Sequence, residues 1–439
     1  MTNTEKEVLE FVKNNDVKFI RLGFCDPTGT QKNISIMPDE LPEAFENGVS
    51  FDASAIRGFQ DVTNSDLFLY PDAGTLTVLP WRPGPVRHIR FYCEIRNADG
   101  TPFPCDSRHL LRRVVTRCTE MGYTCKIGSE CEFYLFRTDE NGDPTGETMD
   151  KGGYLDIAPV DKAENIRREI CLTLEEMGIK PVRSHHEQGP GQNEIDFQFS
   201  DALRSADDLL TFKSVVKAIS ARNGLFASFM PKPLSYTSGS GLHVNLSLFR
   251  DGVNIFENPE DEHRQTAGSF IAGILHHIRD ITVFLNPLAN SYERFGKFKA
   301  PRYISWSHQN RSQLIRIPAA TGEKKRMELR SPDPSVNPYL AFAMILAAGL
   351  DGIAQSMPLP PAVDANLFAG DVQAETELLT LPESLETAIR LAENSPLAQQ
   401  VMGEEMLGKF LTMKKEEAAA YASATDKTKF NRERYFGIV

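Results

Sequence analysis

The sequence predicts an α+β protein with two domains, a small sheet-rich one over 1–103 and a larger one over 104–439. Three observations lead there. Turn-forming clusters cut the first hundred residues into short β-type runs. Strong amphipathic helices begin only after "TPFPCDS", Thr101–Ser107, which reads as the boundary. Four segments of the larger part share one pattern, apolar on one face and charged on the other.

In the small domain the turns are "DPTGT" at Asp26–Thr30, "YPDAG" at Tyr70–Gly74, "RPGP" at Arg82–Pro85 and "NADG" at Asn97–Gly100. Between them lie the strand-like runs "VKFIRLGF", "GTLTVLPW" and "HIRFYCEI". One helix is expected near the start and another around Leu41–Glu46. In the larger part, "DKAENIRREICLTLEEMG" opens with Asp161 and Glu164 in capping-box spacing. It sets Ala163, Ile166, Ile170, Leu174 and Met177 on one face and ends at Gly178. "SADDLLTFKSVVKAISARNG" has the same design and stops at Asn223–Gly224. The last third reads as helical, with a proline-rich break at Met357–Val363. No repeat or low-complexity segment is evident.

Bulk properties narrow the function. A formal net charge of −12 argues against nucleic-acid binding, though not against a local basic pocket. No apolar run reaches the ~18–20 residues of a membrane span, and the first residues lack a secretory pattern. Seven cysteines without a CxxC pair read as reduced thiols of a cytoplasmic protein.

The four patterned segments are "SECEFYLF", "NEIDFQF", "GLHVNLSLF" and "RMELR". With a period of two, Glu130, Glu132 and Tyr134 share one face of the first. Glu194, Asp196 and Gln198 share one face of the second, His243, Asn245 and Ser247 of the third, and Arg326, Glu328 and Arg330 of the fourth. A solvated face would carry Lys, Thr and Gln rather than Glu, His and Arg. Carboxylates gathered on one face repel one another unless a cation neutralises them. Glu130, Glu132, Glu187, Glu194 and Glu328, with His243, could hold two divalent metals, and mostly oxygen donors favour Mg²⁺ or Mn²⁺ over Zn²⁺. Metals beside arginines suit phosphoryl transfer.

Other motifs say less. Of the adjacent His185 and His186 at most one can face the carboxylates, and packing is the expected role of both. The glycine-rich "SYTSGSGLH" precedes a strand, not a helix, so it is not a P-loop. Arg311 and Arg316 in "NRSQLIRIP" fit anion binding. The Cys131 thiol is expected in the core.

Together these motifs resemble type I glutamine synthetases. "FDASAIRGFQDVTNSDLFLYPD", "SECEFYLF", "DKGGYLDIAPVD", "SHHEQGPGQNEIDF", "KPLSYTSGSGLHVNLSLF", "NSYERF", "WSHQNRSQLIRIPA" and "RMELRSPDPSVNPYLAFA" occur in the family's order, from about residue 15 to 350. The resemblance implies a β-grasp-like N-terminal domain and a catalytic domain whose curved antiparallel sheet is flanked by helices. It also implies a homododecamer with active sites shared between neighbours. ATP and glutamate would be substrates, with ammonia or an amine as nitrogen source and two or three Mg²⁺ or Mn²⁺ ions. Carried over, Glu132, Glu187 and Glu194 would hold one metal, and Glu130, His243 and Glu328 another. Arg311, Arg316 and Arg326, with Asn245 and Ser247, would serve ATP. Gly239, Arg294 and Arg330 would bind glutamate. Asp52 from the neighbour and Tyr154 would flank the incoming nitrogen.

One stretch departs from the family. After the substrate arginine, "YERFGKFKAPRY" is one residue shorter than the usual active-site flap, and Lys299 stands where the family's catalytic glutamate belongs. Ala53, Ala55 and Ser238 replace a glycine, a hydroxyl and an asparagine at the same place. Repulsion of ammonium by an inward Lys299 would cost ~4 kcal/mol at ~4 Å and an effective dielectric near 20. The expectation is therefore a glutamate–amine ligase whose amine bears an acidic group, with Lys299 as a possible base in a closed site. The competing readings are a true glutamine synthetase, with Glu293 nearby, and a catalytically silent homologue. "TELLTLPESLE" lacks the tyrosine that some relatives have adenylylated.

Overall fold

The computed structural model describes residues 2–80, 87–257, 261–369 and 378–439. The "RPGP" turn and the start of "TELLTLPESLE" lie outside the described residues.

The N-terminal helix Asn3–Asn14 begins in a capping box, in which Thr2 and Glu5 each bond the other's backbone N–H. The small sheet follows, ordered Gln31–Ile36, Val17–Cys25, Arg87–Arg96, Asp66–Pro71, Val49–Asp52. Its central pair, Val17–Cys25 with Arg87–Arg96, is parallel, and its other pairings are antiparallel. That pair brings the buried Ile20 and Leu22 beside the buried Ile89 and Phe91. "GTLTVLPW" yields only the two-residue strand Thr77–Val78. The second helix is Leu41–Asn47.

The large sheet has eleven strands. Its main order is Trp306–His308, Ile315–Ile317, Met327–Leu329, Leu242–Arg250, Thr124–Thr138, Gln192–Phe197, Pro181–His186. All of these pair antiparallel except Trp306–His308 with Ile315–Ile317, a parallel departure from the expected sheet. Cys131, Phe133 and Leu135 point into the core, as do Ile195, Val244, Leu246 and Leu329. Helices Ser107–Glu120 and Ala202–Arg222 pack against the central strand Thr124–Thr138, and Pro338–Ala354 packs on both helices. Pro338–Ala354 also crosses Asp261–Leu285 at Gly273 and Gly352, where a Cβ on Gly273 would lie 2.3 Å from the Ala348 carbonyl. The chain then leaves helical structure through the proline-rich 357–363 segment and ends in further helices.

One local expectation is corrected. Helix Glu164–Glu176 has no capping box, because Ala163 occupies the N-cap. Asp161 instead accepts from the Ala163 N–H (2.8 Å) and pairs with Arg167, 2.5 Å away and likewise buried. The apolar stripe Ile166, Ile170, Leu174 and Met177 is buried as expected.

Candidate active site

Strand register gathers the polar face. Glu194 sits opposite Glu132, Asp196 and His243 both lie opposite Glu130, and Glu328 lies opposite Asn245 and Arg316. This face is not solvated: Glu130, Glu132, Glu194 and Glu328 are all buried. Loops roof it into a pocket of about 250 Å³.

Three overlapping clusters of donor atoms lie on this face among the described residues, one of them Glu130, Glu194 and Asp196. His243 Nδ1 is 3.3 Å from Glu130 Oε2 and 3.7 Å from Glu328 Oε1. His185 lies 3.8 Å from Glu187 and 3.5 Å from Glu194. Each trio could hold a cation, its ligand atoms falling within 4.8 Å of one another. Burial raises Glu130, but hydrogen bonds from His243 and Asn245 and the charge of Arg183 outweigh it and hold the carboxyl down at about 2. Glu132 is pushed up to about 7, by burial and then by Glu187, although the Gly241 N–H and Gln192 Nε2 both donate to it. Glu194 is raised by burial and by Glu132, Asp196 and Glu130. Carboxylates so crowded are a donor set suited to hard divalent ions, whose charge would remove the repulsion.

Arginines close the other side. Glu328 accepts from Arg316 Nη1 (2.5 Å) and Arg330 Nε (3.0 Å). Arg294 is buried and donates to the Ser331 and Pro332 carbonyls at 3.0 and 3.4 Å. Gly239 makes room for it, since a Cβ there would meet Arg294 Cγ at 2.5 Å and the Pro231 carbonyl at 2.4 Å. Arg311, Arg316 and Arg326 line the same pocket.

The flap residues Lys297, Phe298 and Lys299 form its mouth. The loop turns tightly on Gly296, at φ 70°, and Phe298, at φ 57°. Lys232 Nζ lies 4.3 Å from the Phe298 ring centroid and bonds the Thr237 carbonyl, tying flap to glycine loop. Lys299 faces inward, its Nζ 5.1 Å from the centroid of the Tyr154 ring, while remaining solvent-exposed.

Most of the expected residues therefore meet, with four qualifications. Asp52 is exposed at the end of the small sheet, accepting from Ser54, and does not line this chain's pocket. Asn245 bridges Glu130 and Arg326 behind the lining, and Ser247 bonds the Lys325 carbonyl. Glu293 is turned away, accepting from Tyr421 (3.2 Å) and Asn431 (2.7 Å), so it cannot replace the flap glutamate. Packing explains His186, buried against Asp150 at 2.9 Å, but His185 lines the pocket. Arg183 and Asp196 carry no role in the sequence reading, yet they pair beside Glu130, at 2.7 Å from Nε. Their partnership was invisible because it depends on pairing between neighbouring strands.

Comparison with known proteins identifies the family. Residues 104–433 match the model of the glutamine synthetase catalytic domain, and 16–98 that of its beta-Grasp domain. The chain is 47% identical over 419 residues to a glutamine synthetase of Clostridium saccharobutylicum, covering 94% of this chain and 95% of the relative. It is 44% identical to one of Methanosarcina mazei, covering 98% and 97%. Among solved structures, a GmaS/ADP complex superposes with a TM-score of 0.87 at 29% identity over 97% of this chain and 98% of that one. A Plasmodium falciparum glutamine synthetase superposes with the same score at 26% identity over 99% of each. The chain belongs to the type I glutamine synthetase family, ATP-dependent ligases that form carbon–nitrogen bonds.

Proposed function

We propose that the protein joins glutamate to a primary amine carrying an acidic group. The γ-carboxylate attacks the ATP γ-phosphorus and ADP leaves. The amine then attacks the acyl carbon of γ-glutamyl phosphate, phosphate leaves, and the nitrogen gives up a proton. Arg294 and Arg330 would hold glutamate beside Gly239. Arg311, Arg316 and Arg326 would meet the phosphates, with Asn245 and Ser247 supporting them, and Tyr154 and a neighbour's Asp52 would flank the nucleophile. Glu130, His243 and Glu328, and Glu132, Glu187 and Glu194 with His185, would hold divalent ions that neutralise phosphate charge. Assembly into a dodecamer would complete each site.

The observation behind the amine is Lys299, inward at the mouth where the family places its glutamate. A cation there disfavours ammonium and attracts an anionic substituent. A second reading, a true glutamine synthetase, draws on the 47% identity to a protein of that name. Phosphate release from ATP with glutamate and Mg²⁺ separates the two. Release with amino acids or other acidic amines, and little with ammonium, is expected. Efficient release with ammonium alone would sink the amine reading, and silence with every nucleophile in protein that binds ATP would favour a non-catalytic homologue.

A further inference from the structure

A second cavity, of about 520 Å³, lies between the N-terminal sheet, helix Ala202–Arg222 and the C-terminal residues. Arg90, Lys213, Lys217, Lys414 and Arg434 are among its lining, and among the described residues Glu417 is its only side-chain carboxylate. Glu417 is already engaged. It accepts from Lys414 (3.0 Å), from the Tyr435 hydroxyl (2.6 Å) and from the Ala289 N–H (3.2 Å).

Four of the other lining cations, Arg90, Lys213, Lys217 and Arg434, have no carboxylate partner among the described residues. Lys213 and Lys217 stand one turn apart on the same helix face. Their ammonium groups reach only carbonyls, Pro334 at 2.8 Å and Ile438 at 3.2 Å, and the Phe229 ring. Among the described residues, Arg90, Lys213, Lys217 and Arg434 form no ion pair. Arg90 is 5% exposed, and its Nε is buried without a hydrogen-bond partner although Nη1 donates to Thr211. Burial, and then the charge of Lys213, pull Lys217 down to about 8.

Like charges gathered in a recess and outnumbering its carboxylates disfavour one another, and an anion with two or more charges relieves all of them at once. Chance surface lysines do not explain the pattern, because these groups converge on a cavity larger than the candidate active site. We propose that this cavity binds a small polyanion, a di- or tricarboxylate or a phosphate compound, separately from the ATP and glutamate pocket. Lys213 also holds the Pro334 carbonyl, three residues from the Ser331 carbonyl that holds Arg294. The cavity is thus one short segment from the substrate arginine.

Calorimetric titration of the full-length chain with succinate, citrate and inorganic phosphate tests this, in wild type, Lys217→Met, Arg434→Gln and Arg316→Ala. At least one anion is expected to bind wild type and Arg316→Ala alike, and about ten-fold or more weakly to Lys217→Met. Which anion binds distinguishes carboxylate from phosphate recognition. Arg434→Gln alters an exposed side chain, so it keeps the test open if Lys217→Met fails to fold. Absence of binding by wild type overturns the proposal. So does binding abolished by Arg316→Ala but untouched in Lys217→Met, or in Arg434→Gln if that is the only folded variant.

Discussion

At the scale of single residues, the proposed choice of an acidic amine rests on Lys299. Its exposure at the pocket mouth weakens its field, so its effect on ammonium lies between ~1 kcal/mol in water and ~4 kcal/mol at a dielectric near 20. Lys299→Glu is therefore expected to raise ammonium-dependent phosphate release about ten-fold or more while lowering release with an acidic amine. Steady-state rates with both nucleophiles check this, and an unchanged ratio would show that the flap does not choose between them. The lysine and its departure from the family were legible in the sequence. Its inward aim over Tyr154 was not, nor was the diversion of Glu293 to Tyr421 and Asn431, because both depend on how the loop packs.

At the scale of elements, the site rests on strands whose alternation can be read directly, braced by helices whose spacing cannot. The tightest brace is the crossing of Asp261–Leu285 with Pro338–Ala354. A Cβ on Gly352 would lie 2.1 Å from the Ser269 carbonyl and 2.7 Å from Gly273 Cα, so two backbones occupy the space of a side chain. Gly352→Ala should lower stability by roughly 1–3 kcal/mol through overpacking. Denaturant unfolding gives that number, and the KM for glutamate should hold because no pocket residue moves. The helices were visible as apolar patterns, but nothing local marks which glycines meet. The missing capping box of Glu164–Glu176 has the same origin: Asp161 precedes the N-cap Ala163, accepts from its N–H and pairs with the buried Arg167.

At the scale of the whole molecule, Asp72 of the small domain joins the two domains by accepting from Arg108 and Arg112 of the first helix of the large one, each at 3.0 Å. Burial would raise its carboxyl, but the two guanidinium groups prevail and hold it below the usual range. A lowered folded-state value contributes stability above the unfolded value near ~3.9 and loses it as pH falls through the folded value. Asp72→Asn should therefore cost roughly 1.5–3 kcal/mol at neutral pH. The deficit should shrink as pH falls below ~3.9 and through the lowered folded value, as melting curves of both proteins from neutral pH into acid would reveal. Assembly has its own test. Asp52 is remote from its own chain's pocket, so in a shared site inactive Asp52→Ala and Arg311→Ala chains should complement when mixed. Random mixing would restore about a quarter of wild-type activity. No recovery in verified mixed oligomers would place Asp52 outside the site.

The sequence by itself determined the α+β class, the alternating strands, the candidate residues for cations and phosphates, and the one lysine out of place. These follow from local periodicity and from side-chain chemistry that each residue carries with it. Only the tertiary structure decided that the polar face is roofed rather than solvated, that His185 joins the carboxylates while His186 is buried against Asp150, and that cations without carboxylate partners converge on a second cavity. Each of these depends on residues far apart in the chain meeting in a low-dielectric interior, where the partner a charge finds matters more than its identity.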